Sequence, residues 1–241
     1  TDSLLLYGDP LNAADGNSND AEWNPSQASV SLVENYVKPS ISGSSSSSGS
    51  SSITKIVPDF VVNQTTTGTQ SQPDVTALSN GNFIVVWTAE NQSGASQFNV
   101  YGQEINAAGE LIGNEFQINS TTAGASGAYA RPEVEDLGDG KFGVVWQSQR
   151  TGTTNQSVYA RVFSYDRTPH TSGFLASVGS ATEYFQGLKA LGNGNFMVVH
   201  SHGSSGADIY GQIFNSEGIS QLADINLSNG DADSQEHARI E

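Results

Sequence analysis

The chain has 241 residues, no cysteine, and 25 acidic side chains against 9 basic ones, a net charge of −16. Such a balance repels phosphate backbones and anionic membranes, which argues against nucleic-acid partners, and no apolar run approaches the ~18 residues of a membrane-spanning helix. Without thiols there are neither disulfides nor thiolate metal sites, and at 36% apolar and 14% charged residues the abundant Gly, Ser, Thr and Asn describe a turn-rich β-protein.

Residues 1–41 form a leader of different texture. Leu4-Leu5-Leu6 is too short and lacks the basic flank of a signal peptide, so the chain reads as a processed or excised piece. Asp15, Asn17, Asn19 and Asp20 place hard oxygen donors at close spacing, which suits calcium, although the Gly and Glu positions of an EF-hand loop are missing. A solvated loop built on Asx turns explains the same residues. Val30-Ser31-Leu32-Val33 and Tyr36-Val37 predict one short strand. Residues 42–52 are almost pure Ser and Gly, a flexible tether whose reach is on the order of 20 Å.

From residue 53 to 241 the chain repeats itself with a period of roughly 50 to 60 residues. The first copy reads Pro73-Asp74-Val75, Leu78-Ser79-Asn80-Gly81-Asn82-Phe83-Ile84-Val85-Val86-Trp87, Val100-Tyr101-Gly102-Gln103 and Phe116-Gln117-Ile118-Asn119. The second answers with Pro132-Glu133-Val134, Leu137-Gly138-Asp139-Gly140-Lys141-Phe142-Gly143-Val144-Val145-Trp146, Val158-Tyr159-Ala160-Arg161 and Phe174-Leu175-Ala176-Ser177. The third runs from Leu191-Gly192-Asn193-Gly194-Asn195-Phe196-Met197-Val198-Val199-His200 through Ile209-Tyr210-Gly211-Gln212 to Ile225-Asn226-Leu227-Ser228. Units are placed at about 60–115, 116–173 and 174–224, with a partial fourth at 225–241 whose Ala238-Arg239-Ile240-Glu241 matches the start of a first strand.

Inside each unit the apolar period is two. Pro73 to Leu78 alternates and reads as a half-exposed strand, with Asp74 and Thr76 set against Val75 and Ala77. The continuous run from Asn82 to Trp87 reads as a strand buried on both faces. Asn-Gly and Asp-Gly between them mark a hairpin. A third strand through Val100–Ile105, the turn Asn106-Ala107-Ala108-Gly109 and a fourth strand at Glu115 to Asn119 complete the unit. Four short antiparallel strands cannot bury both faces of their own sheet, and radial stacking solves that problem. The expected fold is therefore all-β: a partial β-propeller of about three blades plus the start of a fourth. Trp87, Trp146, Phe83, Phe142 and Phe196 would fill the space between blades. Closed propellers need about 4 to 8 blades, so a further chain or subunit is expected to complete the array.

The repeat resembles tandem units of large exported and surface proteins of Gram-negative bacteria, which often accompany RTX arrays or adhesin domains. The resemblance spans about Phe60 to Glu241. It implies a propeller-like fold and an extracellular or cell-surface address, and it carries no catalytic residues. The third copy departs from it with His200 in the Trp slot and Gln186 in the Pro slot, and RTX nonapeptides are absent.

Candidate chemistry is sparse. Asp231 and Asp233 make a second oxygen-rich loop, so calcium is the cofactor expected, at Asp15, Asn17, Asn19, Asp20, Asp231 and Asp233. His200-Ser201-His202 places both rings on one face of a strand, a spacing for zinc or copper if a carboxylate such as Asp208 converges. A packed or partly exposed histidine in the Trp slot is the favoured reading. Glu133 and Glu135 share a strand face, and no Gly-x-Ser-x-Gly elbow exists. Tyr129, Tyr165 and Tyr184 are candidates for stacking on sugars. The expectation is a non-catalytic extracellular scaffold or adhesion module, not an enzyme. The alternatives are a glycan-binding, lectin-like propeller and a secreted hydrolase completed by missing blades.

Overall fold

A computed structural model describes residues 59–90, 98–119, 130–149, 155–177, 182–202 and 208–228. Twelve strands run in chain order: β1 (Thr69–Ala77), β2 (Phe83–Glu90), β3 (Phe98–Ile105), β4 (Leu111–Gln117), β5 (Glu133–Gly138), β6 (Lys141–Gln149), β7 (Gln156–Ser164), β8 (Phe174–Leu175), β9 (Glu183–Ala190), β10 (Asn195–His202), β11 (Ile209–Asn215) and β12 (Ser220–Asn226). They form three four-stranded sheets, β1-β2-β3-β4, β5-β6-β7-β8 and β9-β10-β11-β12, each an antiparallel meander. The first strand β5 lies between the first strands β1 and β9 and contacts both. The protein is thus all-β, with the blades of a partial β-propeller.

Turn chemistry delivers the hairpins. In blade 2 Gly138 pairs with Lys141, and Asp139 and Gly140 between them adopt φ of 50° and 77°, a two-residue turn open only to residues that tolerate positive φ. In blade 1 the loop is longer: Leu78 donates to Asn82 O and Gly81 to Leu78 O.

The even-numbered residues of β2 face blade 2, and those of β6 face back. One core joins Ile84, Val86 and Ile118 of blade 1 to Phe142, Trp146 and Phe163 of blade 2. A second joins Val145, Ala160 and Ala176 of blade 2 to Phe196, Val198 and Phe214 of blade 3. Trp146, Phe142 and Phe196 therefore fill inter-blade space, as expected. Trp87 and Phe83 lie on the far face of blade 1, against Phe60 and Val62.

The first strands differ from their sequence reading. β1 begins at Thr69, before Pro73, and its register shifts between Ser71 and Asp74, with Gln72 at φ 53°. Ala77 is exposed while Asp74 is half-buried. The reason lies across the blade boundary: Asp74 Oδ2 accepts the backbone N–H of Val134 at 2.8 Å. Glu133 occupies the same place in blade 2 and accepts the N–H of Leu188 at 2.9 Å. Each blade thus latches the first strand of the next through an acid that follows a proline. In the third unit Gly187 stands in this position.

Candidate metal centre between the second and third blades

The Trp slot explains the site. In blade 1 Trp87 stacks on Tyr101, in blade 2 Trp146 stacks on Tyr159, and the same strand pairing sets His200 opposite Tyr210. Trp87 Nε1–H is satisfied by Gln70 Oε1 at 2.8 Å, and Gln70 pairs with Ala89. The equivalent pair in blade 3 is Glu183 with His202. Relative to blade 1, three differences, Trp87 to His200, Ala89 to His202 and Gln70 to Glu183, turn an aromatic contact into a cluster of metal-ligating groups.

One ligand atom from each of Glu183, His200 and His202 lies within 4.8 Å of the others. Glu183 Oε1 stands 3.5 Å from His202 Nε2. Asp224, on β12, places Oδ1 3.1 Å from His200 Nε2 and Oδ2 3.8 Å from His202 Nε2. The His200 and His202 rings stack at 5.0 Å, and Tyr210 covers His202 at 4.2 Å. Glu183 and His200 are fully buried, whereas the His202 side chain keeps 27% of its surface and Asp224 keeps 13%. The cluster therefore has a closed inner side and an edge toward solvent.

Polar satisfaction inside it is incomplete. Glu183 Oε1, His200 Nδ1 and His202 Nε2 are buried atoms without a hydrogen-bond partner. A buried carboxylate oxygen and two imidazole nitrogens left so are costly unless a cation or a proton joins them. Burial pushes the His200 imidazole below its ordinary range, although Asp224 and Glu183 pull the other way. Burial thus favours the neutral ring, the form that can ligate. Glu183 is oriented from the neighbouring blade, since its second oxygen accepts the Ser177 hydroxyl, whose oxygen in turn accepts Val158 N–H at 3.1 Å. Such outer hydrogen bonds fix a ligating carboxylate.

Tetrahedral zinc, with bonds of about 2.0–2.2 Å to nitrogen and oxygen, needs ligand atoms roughly 3.4 Å apart. The Glu183–His202 separation of 3.5 Å already meets this. Two imidazoles with carboxylates suit zinc and its transition-metal neighbours, not calcium, which takes oxygen alone.

The converging carboxylates are Glu183 and Asp224. Asp208 is committed elsewhere, accepting from Asn226 Nδ2 at 2.9 Å and Ser228 Oγ at 3.2 Å. The packed-histidine reading is right about burial and incomplete about company. Glu183 escaped the sequence because it lies on a different strand, and antiparallel pairing alone brings it opposite His202. Of the carboxylates singled out by sequence, Glu133 is a latch, and Glu135 pairs with Lys189 at 3.5 Å while burial raises its pKa. Tyr165 is tied to Asp136 through its hydroxyl at 2.5 Å, and Tyr184 is exposed on β9. Asp15, Asn17, Asn19, Asp20, Tyr129, Asp231 and Asp233 lie outside the described residues.

No family model matches the chain, and no curated protein does. Among solved structures it is similar to an endo-arabinase from Bacteroides thetaiotaomicron, at 15% identity and TM-score 0.40, over 68% of this chain and 59% of that one. It is also similar to an α-L-arabinofuranosidase from Lactobacillus brevis, at 10% identity and TM-score 0.41, over 75% and 60%. An α-L-arabinanase from Penicillium chrysogenum, complexed with arabinobiose, matches at 15% identity and TM-score 0.45, over 67% and 51%. The chain spans between 51% and 60% of the length of these proteins. All three carry enzyme names, so the expectation that the chain is not an enzyme is not retained. At this identity and TM-score the likeness concerns the fold and transfers neither substrate nor catalytic residues.

Proposed function

We propose that this chain is part of a hydrolytic propeller, and that Glu183, His200 and His202 hold a zinc-class ion between its second and third blades. The observation that carries the reading is the convergence of one ligand atom each from Glu183, His200 and His202 within 4.8 Å, in a cluster where Glu183 Oε1, His200 Nδ1 and His202 Nε2 are buried without a hydrogen bond. The ion would lower the pKa of a water bound on its solvent side and stabilise the developing oxyanion. Asp224 is the group placed to take that water's proton, because it touches both imidazoles and keeps contact with solvent. In a hydrolysis there, the water oxygen would bond to the electrophilic carbon as the bond to the leaving group breaks, and Asp224 would pass the proton it took from the water to the departing oxygen. Ser177 acts as a positioning residue through Glu183.

The test begins with metal content. After dialysis against zinc, elemental mass spectrometry should find one ion per chain, and cobalt substitution should give tetrahedral d–d absorption. Glu183→Gln and His202→Ala should each lose the ion. Turnover is then sought on chromogenic glycosides and carboxylic esters, with and without chelator. Asp224→Asn should retain the ion and lower kcat by about 100- to 10,000-fold. A chain that retains no ion, or turnover indifferent to chelation and to Glu183→Gln, sinks the proposal.

A further inference from the structure

Each blade closes its outer edge in the same way. After β4, β8 and β12 comes a residue whose side chain accepts an N–H within the first three residues of the third strand. Val100 donates to Asn119 Oδ1 at 2.9 Å, Val158 to Ser177 Oγ at 3.1 Å and Ile209 to Ser228 Oγ at 3.2 Å. One residue earlier stands an apolar side chain: Ile118 and Ala176, both fully buried, pack on the next blade, and Leu227 holds the same position at the end of blade 3.

Phe60-Val61-Val62-Asn63-Gln64-Thr65-Thr66 repeats that pattern, matching Phe116-Gln117-Ile118-Asn119-Ser120-Thr121-Thr122. The match extends to packing. Phe60 and Val62 lie against Trp87 and Tyr101 of blade 1, as Phe116 and Ile118 lie against Trp146 and Tyr159 of blade 2. Asn63 is buried like Asn119, at 4% and 2% exposure, yet its Oδ1 has no hydrogen-bond partner. Its Nδ2 donates to Thr65 O, which leaves the oxygen as the free acceptor. None of the described third strands is available for this, since Val100, Val158 and Ile209 each have an acceptor.

The other end of the array shows the complementary gap. Ile225 and Leu227 occupy the positions of Phe116 and Ile118 but are 38% and 47% exposed. Gly211 and Met197 share that face, as Gly102 and Ile84 do in blade 1. The same surface is an interface twice in this molecule and uncovered once.

We propose that residues 60–63 are the outermost strand of a blade whose inner three strands come from further units of the same repeat, continuing the polypeptide, and that those units begin on the Ile225–Leu227 face. The ring is then closed by joining strands from both ends of the array. The leader contains neither the Phe-x-Val-Val-Trp nor the Tyr-Gly-Gln signature of the repeat. At the new junction Gly187 replaces the latching acid, so apolar contact at Ile225 and Leu227 must hold it.

The side chain of Asn63 provides the test. In the 241-residue chain Asn63→Ala should leave the melting temperature within about 1 °C, whereas Asn119→Ala should lower it by about 2–12 °C, the cost of orphaning a buried N–H. In chains extended after Glu241 by one, two or three copies of residues 119–177, one length should suppress dye binding at the exposed face. In that chain Asn63→Ala should become as costly as Asn119→Ala. Equal costs in the unextended chain would mean that Asn63 already has its partner, which overturns the proposal even if no extended chain folds. A dimer of the unextended chain by light scattering, dispersed by Leu227→Asp, would make a second copy the occupant and overturn it as well.

Discussion

Replacing Asp74 with alanine removes the acceptor that holds the N–H of Val134 across the first blade boundary. Val134 is 3% exposed, so water cannot take over the bond. An orphaned buried N–H costs about 1–3 kcal/mol, and in a domain of this size each kcal/mol shifts the melting temperature by about 2–4 °C. Asp74→Ala should therefore lower it by about 2–12 °C at pH 7 in scanning calorimetry. Asp74→Asn keeps an acceptor oxygen and discards the buried charge. Burial raises the Asp74 pKa despite the bonds from Val134 and Val75, so the ionised form is the disfavoured one. The contribution of a carboxyl raised in the fold is present in full below its unfolded pKa and is lost as pH rises through the folded value. Asp74→Asn should accordingly match or exceed the wild type at pH 7 and flatten the stability profile through the carboxylate range. Glu133→Ala at the second boundary should also destabilise, and the two alanine effects should add within about 0.5 kcal/mol. If Asp74→Ala and Asp74→Asn melt together, or alanine costs less than 1 °C, the latch does not hold the blades.

Ser177→Ala removes the hydrogen bond that orients Glu183 and should weaken zinc binding about 10- to 100-fold in competition with a chromophoric chelator, without abolishing it. The burial-lowered pKa of His200 contributes stability that is fully present above its unfolded value and is lost as pH falls through the folded one. The metal-free protein should thus lose melting temperature on acidification below about pH 6.5, and His200→Trp, which restores the repeat residue, should remove that slope. Gly140 has φ of 77° and open space around its Cβ position, so Gly140→Ala tests backbone strain alone and should cost about 1–2 kcal/mol in urea unfolding.

Much of the architecture was legible because its causes are local. Strand positions follow from a two-residue apolar period, and the Asp139-Gly140 turn from residues that tolerate positive φ. The repeat forced radial stacking, since no sheet of this kind buries both faces alone. The acids were a different matter. Asp74 and Glu133 looked like the wet side of a half-exposed strand, and only the placement of the neighbouring blade's backbone reveals them as latches. The histidine pair was visible as a spacing, but its carboxylates were not. Asp208 is near in sequence and turned to Asn226, while Glu183 and Asp224 arrive on separate strands. Sequence by itself determined the blades, because a blade is written in short-range periodicity and turn residues. Tertiary structure decided the site and the open ends, because register across strands and the seating of one blade on the next bring together groups that no local pattern links.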